Sequence, residues 1–539
     1  MPRGKYSSTW AGRIRRLRTL VMTRSVVIVG AGHNGLICAA YLAKSGYEVT
    51  VLEARDRVGG GASTVSFADG YSVSGLAHIL HSLSSKVCRE LNLAGSGLEA
   101  GPPVDTISLD RQGQHLTLGA NTVTGDGVSQ KDVEAYRDFK KEFRTYAAAL
   151  DPLMMNKPPR LKDMDSQDKF TLAKIGWKLR FGLGAKSMRE FLRVGGINIY
   201  DVLNEIFDNE TLKGAIALDA VLGHHMGPRT PNTVLTYLHR VRGENQGLQT
   251  LPPGGMGQVT QAISDAAHGF GASIRPGEKV KRILVNDGKA SGVELFSGEQ
   301  LHADIVVSNA DAKTTFLDLV GTGELDAMFA HRVNKTRTRG TVAKVYIALR
   351  ELPQFRDLSP AQLGQRLLVV PDMRYLEHAF NHAKYGEFSQ APVLEITIPS
   401  IADPSLAPAG HHVMSVSASY APYELKDGWE QQRTVFMDNV IALIGEYAPG
   451  FEQLVVDKEI LTPVDIETEY GLTGGHWHQG EMTIDQSFMM RPVHGSAQYD
   501  TPVEGLFLCG ATAHPGGNVT GIPGHNAAQR ILKIQGEPG

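Results

Sequence analysis

Cysteine is almost missing from this chain: Cys38, Cys88 and Cys509 are the three in 539 residues, and no two of them have the CxxC spacing. That excludes a disulfide framework, a multi-thiolate zinc site and a dithiol redox pair, and it points to a reducing compartment. Long hydrophobic runs are missing too, since nothing approaches the ~20 apolar residues of a membrane-spanning helix. Nor does one sign of charge prevail. The 54 Lys and Arg against 57 Asp and Glu leave a formal −3, which gives no global field for a nucleic acid partner. What remains is ordinary globular composition, 42% hydrophobic and 21% charged, in a chain long enough for roughly two or three domains.

The extreme N-terminus departs from that balance. Before the first strand it carries seven Lys or Arg and no acid, the composition of a transit peptide, of a disordered basic leader, or of extra residues ahead of Met22. Residues 1–22 are therefore expected to be a leader outside the fold. The expected location is cytoplasmic, peripheral to a membrane at most, or the mitochondrial matrix if the source is eukaryotic.

Chemistry begins at Ser25. Val26 to Val29 is a short buried-strand run, and Gly30, Gly32 and Gly35 form G-x-G-x-x-G. A helix is predicted from about Asn34 to Ser45, and Glu48 to Leu52 reads as a second strand that delivers Glu53. In such a βαβ unit Gly30 permits the tight turn, Gly32 lets backbone approach a pyrophosphate, and Gly35 lets helix and strand pack closely. The helix N-terminus, at His33 and Asn34, faces the anion. Glu53 is placed to accept the ribose hydroxyls of an adenosine. A second Gly-rich loop follows at once, Ala54-Arg55-Asp56-Arg57-Val58-Gly59-Gly60-Gly61-Ala62-Ser63. Two cations and a second loop suit a longer ligand whose pyrophosphate runs on toward a flavin, so Ala54, Arg55, Gly60, Gly61 and Ala62 join the predicted binding set.

The other end of the chain answers this one. Asp500 to Ala511 reads as a turn and a buried strand that brings Gly510 and Ala511 to a ligand. The loop from Thr512 to Gly524 then feeds a helix, with Gly521, Ile522 and Pro523 predicted beside the ligand and His525 one residue into the helix start.

These stretches carry a resemblance. E-A-R-x-R-x-G-G, from Glu53, resembles the segment that follows the dinucleotide unit in the amine-oxidase and phytoene-desaturase superfamily of FAD enzymes. P-P-G-G-M before a helix at Leu251 to Ile263 is similar to the same family. D-Q-S-F-M-M-R-P-V (Asp485 to Val493), H-P-G-G and N-A-A are closely similar to bacterial phytoene-dehydrogenase-like proteins, and to the animal group called pyridine nucleotide-disulfide oxidoreductase domain-containing protein 2. The resemblance runs from Thr23 onward. It implies an α/β fold: a Rossmann-type FAD-binding domain, of the glutathione-reductase-2 and amine-oxidase kind, with an inserted mixed α+β substrate domain. The expected FAD-binding parts are 23–130, 246–325 and 471–539. The expected substrate parts are 131–245, mainly helical, and 326–470.

The resemblance further implies FAD, held noncovalently because no cysteine lies in a loop typical of covalent attachment. Val280 would present backbone groups to the adenine. The C-terminal loop would lie over the ribityl chain, with the last helix aiming its positive end at the flavin N1–C2 region. His525 is the expected flavin-tuning residue, and no catalytic base is assigned. Members often carry Gly at the place of Asn518 and Arg at the place of His525. The disulfide in the group label does not transfer, because there is no CxxC. The implied activity is hydride removal from a hydrophobic, polyene or lipid-like substrate to flavin N5, or saturation or isomerisation on the same architecture. A separate acceptor such as oxygen or a quinone would reoxidise the flavin. A flavin amine oxidase, and a flavin-bound protein with an interaction or regulatory role, stay open as alternatives.

Two features fall outside that reading. The histidine pairs His78/His81, His224/His225 and His476/His478 lack nearby carboxylates or cysteines at ligand spacing, so no metal site is expected. The stretch Lys174 to Arg189 mixes cations with Trp177, Leu179, Phe181 and Leu183. That suits contact with an anionic bilayer, a protein partner or solvent alike.

Overall fold

Val26, Val27, Ile28 and Val29 gain by leaving water, and the computed structural model, which describes residues 24–160, 162–246 and 249–536, buries all four. They form β1 (Ser25–Val29). Four further strands extend its sheet: β2 (Glu48–Leu52), β3 (Ser273–Arg275), β4 (Ile305–Ser308) and β5 (Leu506–Leu508). All pairings are parallel, in the order β5-β4-β1-β2-β3. This is the strand order of a doubly wound nucleotide-binding sheet. Here the chain leaves after β2 and returns only at β3. Three helices pack together beside the sheet: α1 (His33–Lys44), α2 (Met256–Gly269) and α3 (Ile522–Gln535), with α1 touching both others. The basic leader expected at 1–22 lies outside the described residues.

A second sheet of eight strands carries the rest. Its order is 455–461, 342–349, 412–419, 393–397, 366–369, 106–108, 116–118, 123–125, antiparallel except where 106–108 runs parallel to 366–369. The strands at 106–125 thus belong to this sheet, so the segment expected as the first FAD-binding part, 23–130, contributes to both. Period-2 alternation sorts the faces. Ala343, Val345, Ile347 and Leu349 join the apolar cluster under the helix Trp429–Tyr447. Lys344, between them, points to the opposite face. The helices Gln130–Met154, Glu210–Val221 and Thr233–Gln246 form a further apolar layer. Two shorter helices lie beside them, Gly184–Val194 and Ile199–Ile206, separated at Gly195 and Gly196. Among the described residues, no helix is long and apolar enough to cross a membrane.

Candidate functional site

The tight turn after β1 exists because only glycine fits it. Gly30 has φ +95°, and a Cβ on Gly35 would stand 2.3 Å from the Gly30 carbonyl oxygen. A Cβ on Gly32 would meet the Asn309 amide at 2.7 Å. The second loop folds against the first, Gly59 N–H donating to the Ala31 carbonyl at 2.9 Å. Glu53 ends β2 and is almost fully buried. Its carboxylate accepts from the Ala31 N–H at 2.8 Å and the Arg55 N–H at 3.0 Å, which pins both loops to the strand end. Arg55 is held over the Tyr470 ring at 4.3 Å and reaches Ser63 Oγ at 3.2 Å. Arg57, its expected companion, turns outward and pairs with Asp56.

These groups open on one cavity of about 1020 Å³, at the top of the usual range for ligand sites. Of the predicted binding residues, Gly30, Gly32, His33, Asn34, Glu53, Ala54, Arg55, Gly60, Gly61, Ala62, Val280 and Ala511 line it. Gly35 lies one turn behind, in the helix packing. The cradle also has unmet hydrogen-bonding capacity: His33 Nε2 and Asn34 Oδ1, at the α1 N-terminus, are buried without a partner. Burial of a polar atom costs free energy unless a ligand or water meets it. A glycine turn, an open helix N-terminus and a buried strand-end acid together fit a nucleotide cofactor.

Besides Gly35, five predicted residues do not line this cavity: Gly510, Gly521, Ile522, Pro523 and His525. Helix packing is the reason. A Cβ on Gly524 would stand 2.2 Å from the Asn34 carbonyl oxygen, and one on Gly521 would stand 2.4 Å from Ile37. The glycines here let α3 cross α1, and Gly510 is packed on Asn309 in the same way. His525 is not at the open end of α3, because the helix begins at Ile522 and the His525 N–H already donates to the Gly521 carbonyl. Its ring stands edge-on to Tyr41, with Nε2 2.8 Å from Lys86 Nζ and Nδ1 2.8 Å from Asn526 Oδ1. His525 therefore faces α1 and Lys86, not the cavity where a flavin was expected to meet it. Loop residues Asn518 and Val519 reach the cavity instead.

The far half of the cavity is the part that motif reading missed. It is faced by the polar side of the eight-stranded sheet and by two helices, and it holds a buried ionic network. Arg366 donates to Glu395 at 2.5 Å and to Asp219 at 2.7 Å, and Arg240 stands 3.7 Å from Asp219. Burial acts to raise both carboxyls. For Glu395 the Arg366 charge and the hydrogen bond from His78 outweigh it and hold the group well below the usual range. For Asp219, Arg366 and Arg240 outweigh it as well and hold the group below its usual value. His78 bridges Glu395 at 2.9 Å and Lys344 at 2.8 Å. Burial, with the Lys344 charge, brings His78 down to about 4, and burial brings Lys344 down to about 7. Burial likewise lowers His224 to about 3 and His239 to about 4, and pushes His81 and His478 well below their ordinary value. At neutral pH this chamber therefore presents neutral imidazoles around a balanced set of fixed charges. Arg240 Nε, His224 Nδ1 and Trp477 Nε1 are buried there without hydrogen-bond partners. A signal was available in the sequence: Lys344 and Glu395 interrupt strands that are otherwise apolar or small, and a charge inside a fully buried strand is rarely idle.

Behind the cavity Arg491 lies 2% exposed, and among the described residues no carboxylate sits on its guanidinium. It donates to the carbonyls of Ala511, His478 and Glu481 at 2.8, 2.8 and 2.9 Å, tying the 478–481 loop to the end of β5.

Residues 35–532 match the family of flavin containing amine oxidoreductases. The chain is 35% identical to pyridine nucleotide-disulfide oxidoreductase domain-containing protein 2 of Mus musculus, covering 94% of this chain and 93% of that protein. It is 26% identical to a limonene dehydrogenase polypeptide of Castellaniella defragrans, covering 95% of each. It is 25% identical to the neurosporene-forming phytoene desaturase of Rhodobacter capsulatus, covering 92% and 91%. Among solved structures, wild-type putrescine oxidase bound to putrescine superposes with a TM-score of 0.59 at 16% identity, covering 95% of this chain and 99% of that one, a likeness of fold.

Proposed function

The chain belongs to the flavin containing amine oxidoreductases, and from that premise we propose that it is a dehydrogenase that binds FAD noncovalently and removes hydride from carbon in a mainly apolar substrate bearing one polar group. The observation that carries this reading is the continuity of the cavity, from the Glu53 end past the glycine turn into the chamber of Arg240 and Trp477. A dinucleotide explains the first half, since Glu53 and Val280 would have no partner in a shorter flavin. Two relatives are named for dehydrogenating or desaturating hydrocarbons, limonene and phytoene, which supports the apolar part. A pure hydrocarbon, however, would leave the free donors of Arg240 and Trp477 buried and unmet, at about 1–3 kcal/mol each. A hydroxyl, carbonyl or carboxylate on the substrate relieves that cost.

When bound, the flavin supplies the hydride acceptor at N5. Forming a double bond also releases a proton, and the chain's residues must hold it. His78 is neutral and oriented from both sides: with Glu395 ionised, Nε2–H donates to it while Nδ1 accepts from Lys344. Lys344, brought down to about 7, can carry a proton between neutral and charged forms near physiological pH. Reoxidation falls to a separate acceptor such as oxygen or a quinone.

Two measurements test the reading. Heat-denatured protein should release intact FAD; flavin retained on the polypeptide overturns the noncovalent part, and failure to bind FAD on reconstitution overturns the whole. Anaerobic mixing with unsaturated or cyclic substrates that carry a polar group should bleach the flavin. Bleaching by simple amines instead, with peroxide on readmission of air, assigns an amine oxidase.

A further inference from the structure

The segment Ser166–Val194 uses little of its apolar surface for the core. It consists of a helix (Ser166–Trp177), one π turn (Lys178–Gly182) and a second helix (Gly184–Val194). Phe191 and Val194 are buried, and Leu179 and Leu183 pack on the helical core. Phe170, Trp177 and Phe181 do the opposite, at 67%, 67% and 62% exposed. Their spacing, one residue every two turns and then the next turn, sets them along one side of the segment. The Trp177 and Phe181 rings touch at a centroid distance of 4.4 Å, so they form one apolar ridge.

Charge surrounds that ridge. Between residues 169 and 189 there are Lys169, Lys174, Lys178, Arg180, Lys186 and Arg189 and no Asp or Glu, in a chain whose overall charge is −3. All but Lys178 are exposed, and among the described residues these five enter no ion pair. Glu190, the first acid beyond them, is taken by Arg193. Aromatic side chains ringed by cations are poor partners for another protein's apolar core, where charge is depleted. They suit the headgroup boundary of an anionic bilayer, where aromatics rest at the interface and lysines and arginines meet lipid phosphates.

We propose that the segment Ser166–Val194 docks this protein on an anionic lipid surface, with Phe170, Trp177 and Phe181 entering the interface and the surrounding cations engaging the headgroups. The two helices have 12 and 11 residues, too short to span a bilayer, so attachment is peripheral and reversible by salt. The proposal stands on this surface alone and is independent of the substrate assignment.

Flotation of the flavin-loaded, full-length protein with vesicles tests it. Vesicles of phosphatidylcholine containing phosphatidylglycerol should carry the protein at least about tenfold more than phosphatidylcholine alone, the difference disappearing in high salt. The doubly substituted Trp177→Ser, Phe181→Ser protein and the doubly substituted Lys174→Glu, Lys186→Glu protein should each lose most of the binding. Both pairs lie away from the cavity, so unchanged flavin absorption certifies the fold. No preference for anionic vesicles overturns the proposal, as does binding that survives both sets of substitutions. Self-association abolished by Trp177→Ser, without vesicle binding, would assign the ridge to a protein interface and overturn it as well.

Discussion

Glu53 and His525 stand a few residues from the same cradle, yet their roles differ because one side chain faces the cavity and the other faces a helix. The Glu53 carboxylate spends two acceptor positions on the backbone of Ala31 and Arg55 and keeps others for ribose hydroxyls. Glu53→Ala should weaken FAD binding by about 1.5–3 kcal/mol, roughly ten- to a hundredfold or slightly more, in a titration of apoprotein. His525→Ala should leave both FAD affinity and flavin potential unchanged while lowering the melting temperature, since a buried ring against Tyr41 is lost at about 1–3 kcal/mol. A shifted potential in that variant would return His525 to the flavin. Glu53 was legible because its signal is local, an acid closing the strand after a glycine motif. His525 was not, because the facing of a helical side chain depends on where the helix starts and what crosses it. The start proved to be Ile522, and the crossing partner, α1, lies at the opposite end of the chain.

At the level of elements, the glycines of the C-terminal loop are legible as unusual, though their purpose is packing between helices. Gly524→Ala would drive a Cβ into the Asn34 carbonyl, a backbone atom that cannot step aside. The expected result is a loss of about 1–3 kcal/mol or more in stability and a lower flavin-to-protein ratio, because Asn34 belongs to the cradle. Gly269→Ala, at the end of α2 with open space around its Cβ, is the control and should melt no lower than the wild type. Equal behaviour of the two variants would show that the α1–α3 crossing is looser than described. The strand Ser25–Val29 and the helix His33–Lys44 were readable from the apolar run and the glycine motif. The pairing of 106–108 with 366–369 was not, since no local pattern names a partner so far along the chain.

For the molecule as a whole, the buried histidines set its response to acid. His33, His78 and His239 each fall to about 4, and His224 to about 3, against an ordinary 6.5, with burial the leading cause each time. Below pH 6.5 the unfolded chain therefore binds more protons than the folded one, so stability rises with pH there. The contribution is complete above about 6.5 and is lost as pH falls toward 4 and 3. Melting temperatures recorded from pH 7 to 4 should fall steadily; a flat profile across that window would show that these imidazoles are solvated. Lys344 works in the same direction at higher pH, between its ordinary 10.5 and about 7. Another consequence lies in the way the first sheet is assembled. Its central strand leaves the ribosome long before β5 and α3 do. At about 5–20 residues per second, β1 waits roughly half a minute to a minute and a half for its full set of neighbours. A nascent chain of this protein cannot complete the cofactor cradle until β5 and α3 have emerged, and a message truncated ahead of Leu506 would yield a polypeptide with every glycine of the first motif and no closed sheet to hold them.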